Sequence, residues 1–457
     1  MTTQELIIVS RDTDAFHETC TQRILSGAST LLLRPYNRFA ESLAERLDTS
    51  GVQAPNLCVL HNEVERPLQW PVTLAEKDTK TDLVVVCASD PKTVAALLMD
   101  QVDDMDTSVV SPVTTDVYTH HPLFLISIPK SGTHLLYRLA EVLGYRPGVV
   151  CPDNPRPETW YCVEHSNSHT SARHFFNDTV SRSPFGNRDH PFMRSPALFI
   201  YRNPLDILVS EANYYHRDGK TAFAGYLQNR SFEERLLALI DDPWLLGSIR
   251  DRVGEFIAWL EFPNVIPVSF EELIGPRGGG ASDLLARLIW SIQLKLQVPG
   301  QPETISSQLY REDSPTFHKG QIGEFRTEFP EAAMDRFFNL PQDFMELLGY
   351  ACDPGGETPL FSGRIDEFRR RPLRFSETEF SDTPITVEQN FSRHNIVKYQ
   401  DRFFVVPESP EPIDLTTIDP NRFFSTKSLQ SSRNTIILGS WYRLMVKFLK
   451  RTFSGKT

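Results

Sequence analysis

The stretch 123–143 constrains the fold of this chain more than any other. A short apolar run, Leu123-Phe124-Leu125-Ile126-Ser127-Ile128, leads into Pro129-Lys130-Ser131-Gly132-Thr133, and residues 134–143 then follow helical periodicity. A strand that feeds a helix through a five-residue loop is a βα unit. Its loop ends at a helix N-terminus, where several amide N–H groups converge and the helix dipole favours an anion. Lys130 adds a mobile positive charge, and Gly132 lets the backbone approach closely because no Cβ intervenes. Short of an ordinary βα turn, the pattern predicts a cradle for a phosphate or sulfate group.

The same alternation fills the first part of the chain. Residues 6–10, 29–34, 56–60 and 82–88 read as strands, and 13–25, 37–47 and 92–101 as helices. Strand and helix in turn predict a parallel α/β sheet. No G-x-G-x-x-G follows the first strand, so the signature of a dinucleotide site is missing. The segment 1–115 is therefore expected to be a Rossmann-like accessory domain with a structural, protein-binding or ligand-binding role. The polar stretch 103–117, ending in Ser-Pro-Val-Thr-Thr, reads as a linker.

A second domain is expected over 120–352. After the loop helix comes a polar, His- and Pro-rich insertion at 147–194; segments of that length inside a compact domain usually carry function or move. A strand at 197–201 then runs into Arg202-Asn203-Pro204-Leu205-Asp206-Ile207-Leu208-Val209-Ser210. Asn203 as N-cap, Pro204 at the first helical position and Asp206 in the first turn all mark a helix start. Residues 265–269 read as another strand, before a Gly-rich turn at 275–280. Residues 353–457 differ in character: an extended connector with Arg369-Arg370-Arg371-Pro372, a β-hairpin over 395–406, and a C-terminal helix. On that helix Trp441, Leu444, Met445, Phe448 and Leu449 share one face, and Arg443, Lys447, Lys450 and Arg451 the other.

Charge narrows the function classes. The 457 residues carry 47 Lys and Arg against 59 Asp and Glu, a net charge of -12. A broad nucleic-acid interface needs a basic face to displace counterions, so nucleic acid is not an expected partner, whereas a local pocket for one anion is. The six cysteines are scattered, with no CxxC pair, which fits reduced thiols in a cytoplasmic protein. Neither a signal-peptide pattern nor an apolar run of membrane-spanning length is visible in the sequence.

Three separated stretches resemble one family. Pro129-Lys130-Ser131-Gly132-Thr133 resembles the 5′-phosphosulfate loop of the sulfotransferases. Arg202 through Ser210 is similar to their 3′-phosphate motif, with the Arg-to-Ser spacing intact. His318-Lys319-Gly320-Gln321-Ile322-Gly323-Glu324-Phe325-Arg326-Thr327-Glu328-Phe329 is similar to their C-terminal cofactor motif, R-K-G-x-x-G-D-W-K-x-x-F. The resemblance covers roughly 120–350 and does not extend to 1–115. It implies an α/β fold: a P-loop-like parallel-sheet sulfotransferase domain, preceded here by the smaller Rossmann-like domain and followed by a β-hairpin and helix extension. It also implies 3′-phosphoadenosine 5′-phosphosulfate (PAPS) as co-substrate, with no metal required, and sulfuryl transfer to a hydroxyl or amine.

Carried across residue by residue, the resemblance places Lys130, Ser131, Gly132, Thr133 and His134 at the 5′-phosphosulfate. Arg202 and Ser210 fall at the 3′-phosphate, with Lys319 and Gly320 closing over it. The sequence departs from the family where His134 replaces a second Thr, Leu135 replaces a Trp that packs on adenine, and His318 replaces an Arg. Lys130 suits stabilisation of the leaving phosphate oxygen, because such transfers are catalysed mainly by positioning and electrostatics. The acceptor proton needs a base near neutral pKa. His165, His169, His174 and His190 are the candidates, with Glu164 as a carboxylate alternative. His190 is favoured because it precedes the second strand, near the position of the catalytic His in cytosolic members.

The rival is a P-loop kinase or NTPase, but its G-x-x-x-x-G-K-[ST] is absent, since Lys130 precedes Gly132. A non-catalytic scaffold that keeps the fold is the other alternative. The acceptor is expected to be a glycan or a small molecule. The hairpin's weak resemblance to segments appended to bacterial surface-polysaccharide enzymes favours a carbohydrate. The basic amphipathic helix either lies on anionic lipid, which would put the protein at the inner face of a membrane, or docks onto the protein itself.

Overall fold

The computed structural model describes residues 4–9, 13–49, 56–112, 121–148, 156–163, 192, 195–309, 320–354 and 364–373, apart from positions 69, 78, 105, 243, 244 and 246, together with the strands at 386–391, 394–399, 402–407 and 424–426. The first sheet comprises β1 (Leu6–Val9), β2 (Thr30–Arg34), β3 (Asn56–Leu60), β4 (Thr73–Ala75), β5 (Leu83–Val86) and β6 (Ser108–Pro112). Its order is β1-β6-β5-β2-β3-β4, with every pairing parallel. Leu- and Val-rich strands of this kind need cover on both faces. Helices Thr13–Leu25 and Arg38–Thr49 supply it on one side, setting Phe16, Cys20, Leu43 and Leu47 against Leu31, Leu33 and Val85. Helix Pro91–Met99 covers the other side with Val94, Leu97 and Leu98. That helix begins where the Asp90 side chain accepts from the Thr93 amide and Pro91 takes the first position.

One sequence expectation is corrected here. The stretch read as a linker holds β6, which lies inside the sheet between β1 and β5. Only Val109 and Val110 carry an apolar signal there, between Ser108 and the Ser111-Pro112 pair, and burial against the neighbouring strands decides the outcome.

The second sheet comprises β7 (Leu123–Ser127), β8 (Arg146–Pro147), β9 (Thr159–Cys162), β10 (Ala197–Tyr201) and β11 (Val265–Ser269). The order β11-β10-β7-β9-β8 is again parallel throughout. From β7 the chain runs to β8 and β9 on one side, then returns to β10 on the other. The order therefore reverses beside β7. In open parallel sheets the crevice at the carboxyl ends of such a strand pair is where ligands sit. Helix Thr133–Val142 follows β7 and buries Leu136, Leu139 and Ala140 in the core. Helix Pro204–Tyr214 follows β10.

Helix Ser282–Leu296 serves both sheets. Leu285, Leu288, Ile289, Ile292 and Leu296 enter the core of the second sheet, while Trp290 and Leu294 enter that of the first. A helix apolar on opposite faces is stable only when buried on both. Trp290 Nε1 donates to the Gln101 carbonyl at 3.0 Å. Leu6 and Gly300 exchange N–H···O bonds at 3.1 and 2.8 Å. Both sheets lie in one compact unit, Met1–His169 with Ser195–Arg374.

The second compact unit contains an antiparallel sheet of β12 (Thr386–Phe391), β13 (His394–Tyr399), β14 (Arg402–Pro407) and β15 (Phe424–Thr426), in that order. The hairpin expected over 395–406 is the β13–β14 pair, with Tyr399 opposite Arg402. The basic amphipathic stretch 441–451 lies outside the described residues. Among the described residues no helix is long and apolar enough to cross a membrane.

Candidate functional site

The loop after β7 has the backbone that an anion cradle requires. Lys130 has φ 66° and Gly132 φ 106°, so the sign of φ alternates along the loop. Alternating handedness turns successive N–H groups toward one concavity. Gly132 is the N-cap of helix Thr133–Val142, and no side chain caps that helix end. Among the described residues no acceptor meets the amides of Gly132, Thr133 or His134. A Cβ at position 132 would stand 2.7 Å from Phe270 Cδ2 and 3.3 Å from Ile200 Cδ1, so only glycine fits.

Ser131 is bonded to the strand ends on either side of the loop. Its hydroxyl donates to the Ile128 carbonyl at 2.6 Å, with the Ile200 carbonyl 3.1 Å away, and its own amide also bonds Ile128 O. The residue is fully buried. Its hydroxyl and amide pin the loop to the ends of β7 and β10. Thr133 and Ser127 share a hydroxyl–hydroxyl bond of 2.6 Å, which fixes the first helical residue to the last residue of β7.

Lys130 carries a charge without a carboxylate partner among the described residues. Its Nζ lies 3.7 Å from the centroid of the Tyr214 ring, a cation–π contact. Burial foremost, joined by the like charges of Arg217, Arg202 and Lys220, outweighs the pull of Glu211 and holds the ammonium down to about 8. Glu211 itself is engaged by Arg252, whose Nη2 donates to it at 2.7 Å. His134 stays open to solvent one residue into the helix, its ring 5.6 Å from that of Tyr137 in edge contact. Desolvation of the ring and then the charge of Lys130 lower its pKa.

Arg202 lies just past β10, 6% exposed, with its guanidinium 4.3 Å from the Phe270 ring centroid. Its Nη2 donates to the Gln321 carbonyl at 2.8 Å, and its buried Nε has no partner among the described residues. Asp206 is 3.7 Å away, but its carboxylate is occupied: Oδ2 accepts from the Gly323 amide at 2.8 Å and Oδ1 from the Phe325 amide at 3.1 Å. Glu271 is likewise occupied, by the Asn203 amide and the Tyr350 hydroxyl, each at 2.9 Å. Burial raises the pKa of both carboxyls, against the pull of Arg202 and of the amides. The acids nearest Arg202 thus hold the backbone in place and leave the guanidinium short of acceptors.

Those bonds also bring the third motif to the second. Gly320, with φ 59°, opens the described part of the 320–325 loop, which Asp206 anchors from below. The Gly-rich turn Gly275–Gly278 seats it from the side: the Ile322 amide donates to Gly278 O at 2.9 Å, and a Cβ on Gly278 would meet the Gly320 carbonyl at 2.7 Å. Ser210 is half-buried on helix Pro204–Tyr214, and its hydroxyl makes no hydrogen bond among the described residues. Lys319, His190 and the other candidate bases His165, His169, His174 and Glu164 lie outside the described residues.

Sequence reasoning missed Phe270 and Tyr214. Phe270 lies under both Gly132 and Arg202 and so joins the two anion motifs, yet in the sequence it is only the first residue after β11. Tyr214 had a usable signal, since it stands one helical turn beyond Ser210 on a helix whose start was already marked.

The comparisons with known proteins are sparse. No family model matches the chain, and no curated protein does. Among solved structures it is similar to a mouse sulfotransferase complexed with PAP, over 49% of this chain and 84% of that one, at 18% identity and a TM-score of 0.35. It is also similar to a retinol dehydratase in complex with androsterone and the inactive cofactor PAP, over 49% and 80%, at 14% identity and a TM-score of 0.31. Both likenesses are loose, and neither bears on the chemistry.

Proposed function

We propose that the chain is a PAPS-dependent sulfotransferase that moves a sulfuryl group to an acceptor hydroxyl, on a carbohydrate or a small molecule. The observation that carries this reading is a pair of under-partnered cations at one strand-order reversal. Among the described residues Lys130, in the loop after β7, has no carboxylate partner, and Arg202, just past β10, keeps an orphaned Nε. Two such groups, on motifs that Phe270 joins through Gly132 and Arg202, suit a ligand with an anion at each end, such as a nucleotide bearing both a 5′-phosphosulfate and a 3′-phosphate. Lys130 and the amides of Gly132, Thr133 and His134 would hold the first, and Arg202, Ser210 and the segment at Lys319 and Gly320 the second.

PAPS, when bound, supplies an activated sulfuryl group on a good leaving phosphate. The acceptor oxygen forms the new S–O bond as the bond from sulfur to the phosphate oxygen breaks. Lys130 faces the negative charge that develops on that leaving oxygen. A positioned cation is worth most where water is scarce, and the burial that depresses the Lys130 pKa is a sign of that scarcity. The acceptor proton passes to a histidine. His190 is the candidate from sequence, and His134, beside Lys130 and held in its neutral form, is the described histidine at the loop.

The direct test is calorimetric. Adenosine 3′,5′-bisphosphate (PAP), the desulfated donor, should bind the full chain without magnesium, and ATP with magnesium should bind at least tenfold more weakly. The reverse order would assign the loop to a kinase or NTPase.

A further inference from the structure

Three cationic groups converge on one aromatic ring beside the loop, and the donor accounts for only one of them. The Lys130 ammonium lies 3.7 Å from the Tyr214 centroid, that of Lys220 5.4 Å and the Arg217 guanidinium 5.8 Å. None of the three makes an ion pair among the described residues. The acids nearest in sequence are engaged elsewhere: Glu211 holds Arg252 at 2.7 Å, and Asp218 accepts from Gln228 Nε2 at 2.9 Å. In a chain of net charge -12, a cluster of positive groups that stays unneutralised runs against the background.

The turn that carries Arg217 and Lys220 is knit in place. The Arg217 amide donates to Tyr214 O at 3.2 Å and the Lys220 amide to Arg217 O at 3.2 Å, while Thr221 Oγ1 donates to Tyr215 O at 3.1 Å. Gly219, with φ 71°, supplies the left-handed step between the two cations. Like charges gathered by a fixed turn repel one another. Such an arrangement is costly for the free chain and is relieved when an anion arrives. Arg202 and Lys130 already meet the two ends of the donor, so Arg217 and Lys220 are left over, next to the end where transfer takes place.

We propose that Arg217 and Lys220, set around Tyr214, bind an anionic group of the acceptor, so that the substrate class is an acid-bearing hydroxyl compound such as a uronic acid or a sugar phosphate. This rests on the sulfotransferase reading and adds the acceptor's charge to it. A carboxylate or phosphate there would sit within reach of both cations while the acceptor hydroxyl faces Lys130. Two charge-assisted contacts of this kind discriminate against the neutral analogue by roughly 10- to 100-fold.

The experiment uses the full chain saturated with PAP and titrated with glucuronate, glucose 6-phosphate and glucose. These probes share a sugar ring and differ in charge. One or both anions are expected to bind at least tenfold more tightly than glucose, and an R217A/K220A double variant to lose that preference. Both side chains are exposed, and thermal unfolding confirms that the variant folds. A wild type with no preference for the sugar anions overturns the proposal, as does a double variant that keeps the preference. A tenfold loss of PAP affinity in the double variant also overturns it, by giving the two cations to the donor. A chain that takes no PAP at all fails at the earlier step, on the sulfotransferase reading itself, whereas PAP binding without anion preference removes only the acceptor class.

Discussion

Both parallel sheets reverse their strand order, the place where open sheets form a crevice, and each reversal has a buried arginine at the end of a strand. In the first sheet the order reverses between β2, which leads to β3, and β5, which leads to β6. Arg34, 3% exposed, closes β2. Its Nε faces both oxygens of Glu63 at 3.2 and 3.0 Å, and its Nη2 reaches Glu63 at 2.5 Å and Asp100 at 3.0 Å. In the second sheet Arg202 sits in a comparable place with, among the described residues, one carbonyl at 2.8 Å, a carboxylate 3.7 Å away and an Nε left over. The topology is alike and the partners are not. A strand-order reversal offers a site; whether the cation there has already been given an acceptor decides if a ligand is wanted.

That contrast breaks most openly on substitution. Arg34→Met leaves Glu63 with an unpaired, largely buried charge and should cost on the order of 3 kcal/mol of stability, without changing PAP affinity per folded molecule. Arg202→Met should do the opposite. Asp206 and Glu271 keep their amide bonds, so unfolding shifts little, while PAP affinity falls about 10- to 100-fold through loss of charge-assisted hydrogen bonds. Chemical denaturation and calorimetry on both variants read the two effects. If Arg202→Met destabilised the fold as much as Arg34→Met and spared PAP, the distinction between the crevices would be void.

Much of this was legible in advance, and the reasons for the gaps are physical. Gly132 and Asn203 act locally, through φ and capping, so the sequence placed both at helix starts. That the first sheet is parallel needed only the alternation of strand and helix, but which strands are neighbours in it did not follow from that alternation. Phe270 could not be read, because its importance comes from contacts with Gly132 and Arg202, both far away in sequence. Helix Ser282–Leu296 shows its amphipathic period, but a period does not say that Trp290 will enter the core of one sheet while Ile289, its neighbour in the chain, enters that of the other. That the Ser131 hydroxyl donates to the Ile128 carbonyl could not be read either, because a serine hydroxyl in an anion loop looks the same in sequence whether it faces a ligand or a carbonyl.

A second prediction sharpens the contrast through pH. The Lys130 ammonium is held near 8 in the free chain, while the unfolded chain keeps its proton to about 10.5. PAP prefers the charged lysine. Its affinity should be full below about pH 8 and fall roughly tenfold per pH unit above it, until the raised pKa of the bound state is reached. Stability of the free chain should move the other way. Between about pH 8 and 10.5 the unfolded state holds more protons, so the contribution of Lys130 to stability rises with pH. Lys130→Arg should flatten both curves. A PAP affinity unchanged from pH 7 to 9.5 in the wild type would mean that Lys130 does not touch the ligand.

The smallest effects concern the side chains that clip each crevice shut. Asn37 Nδ2 donates to the Cys87 carbonyl at 2.7 Å, tying the loop after β2 to the end of β5, and the Ser131 hydroxyl does similar work between the loop after β7 and the ends of β7 and β10. Both should therefore behave as stability residues in spite of their different surroundings. Ser131→Ala should lose about 1 kcal/mol, the net worth of a buried hydrogen bond, and leave PAP affinity within about twofold. Asn37→Ala should lose somewhat more, roughly 1–2 kcal/mol, because Asn37 Oδ1 also accepts from the amides of Phe39 and Ala40 at the next helix start. The informative outcome is a Ser131→Ala chain with unchanged unfolding and a tenfold loss of PAP affinity. The hydroxyl would then turn from the Ile128 carbonyl to the ligand on binding, and the loop of the second sheet would differ from that of the first in its moving parts as well as in its charges.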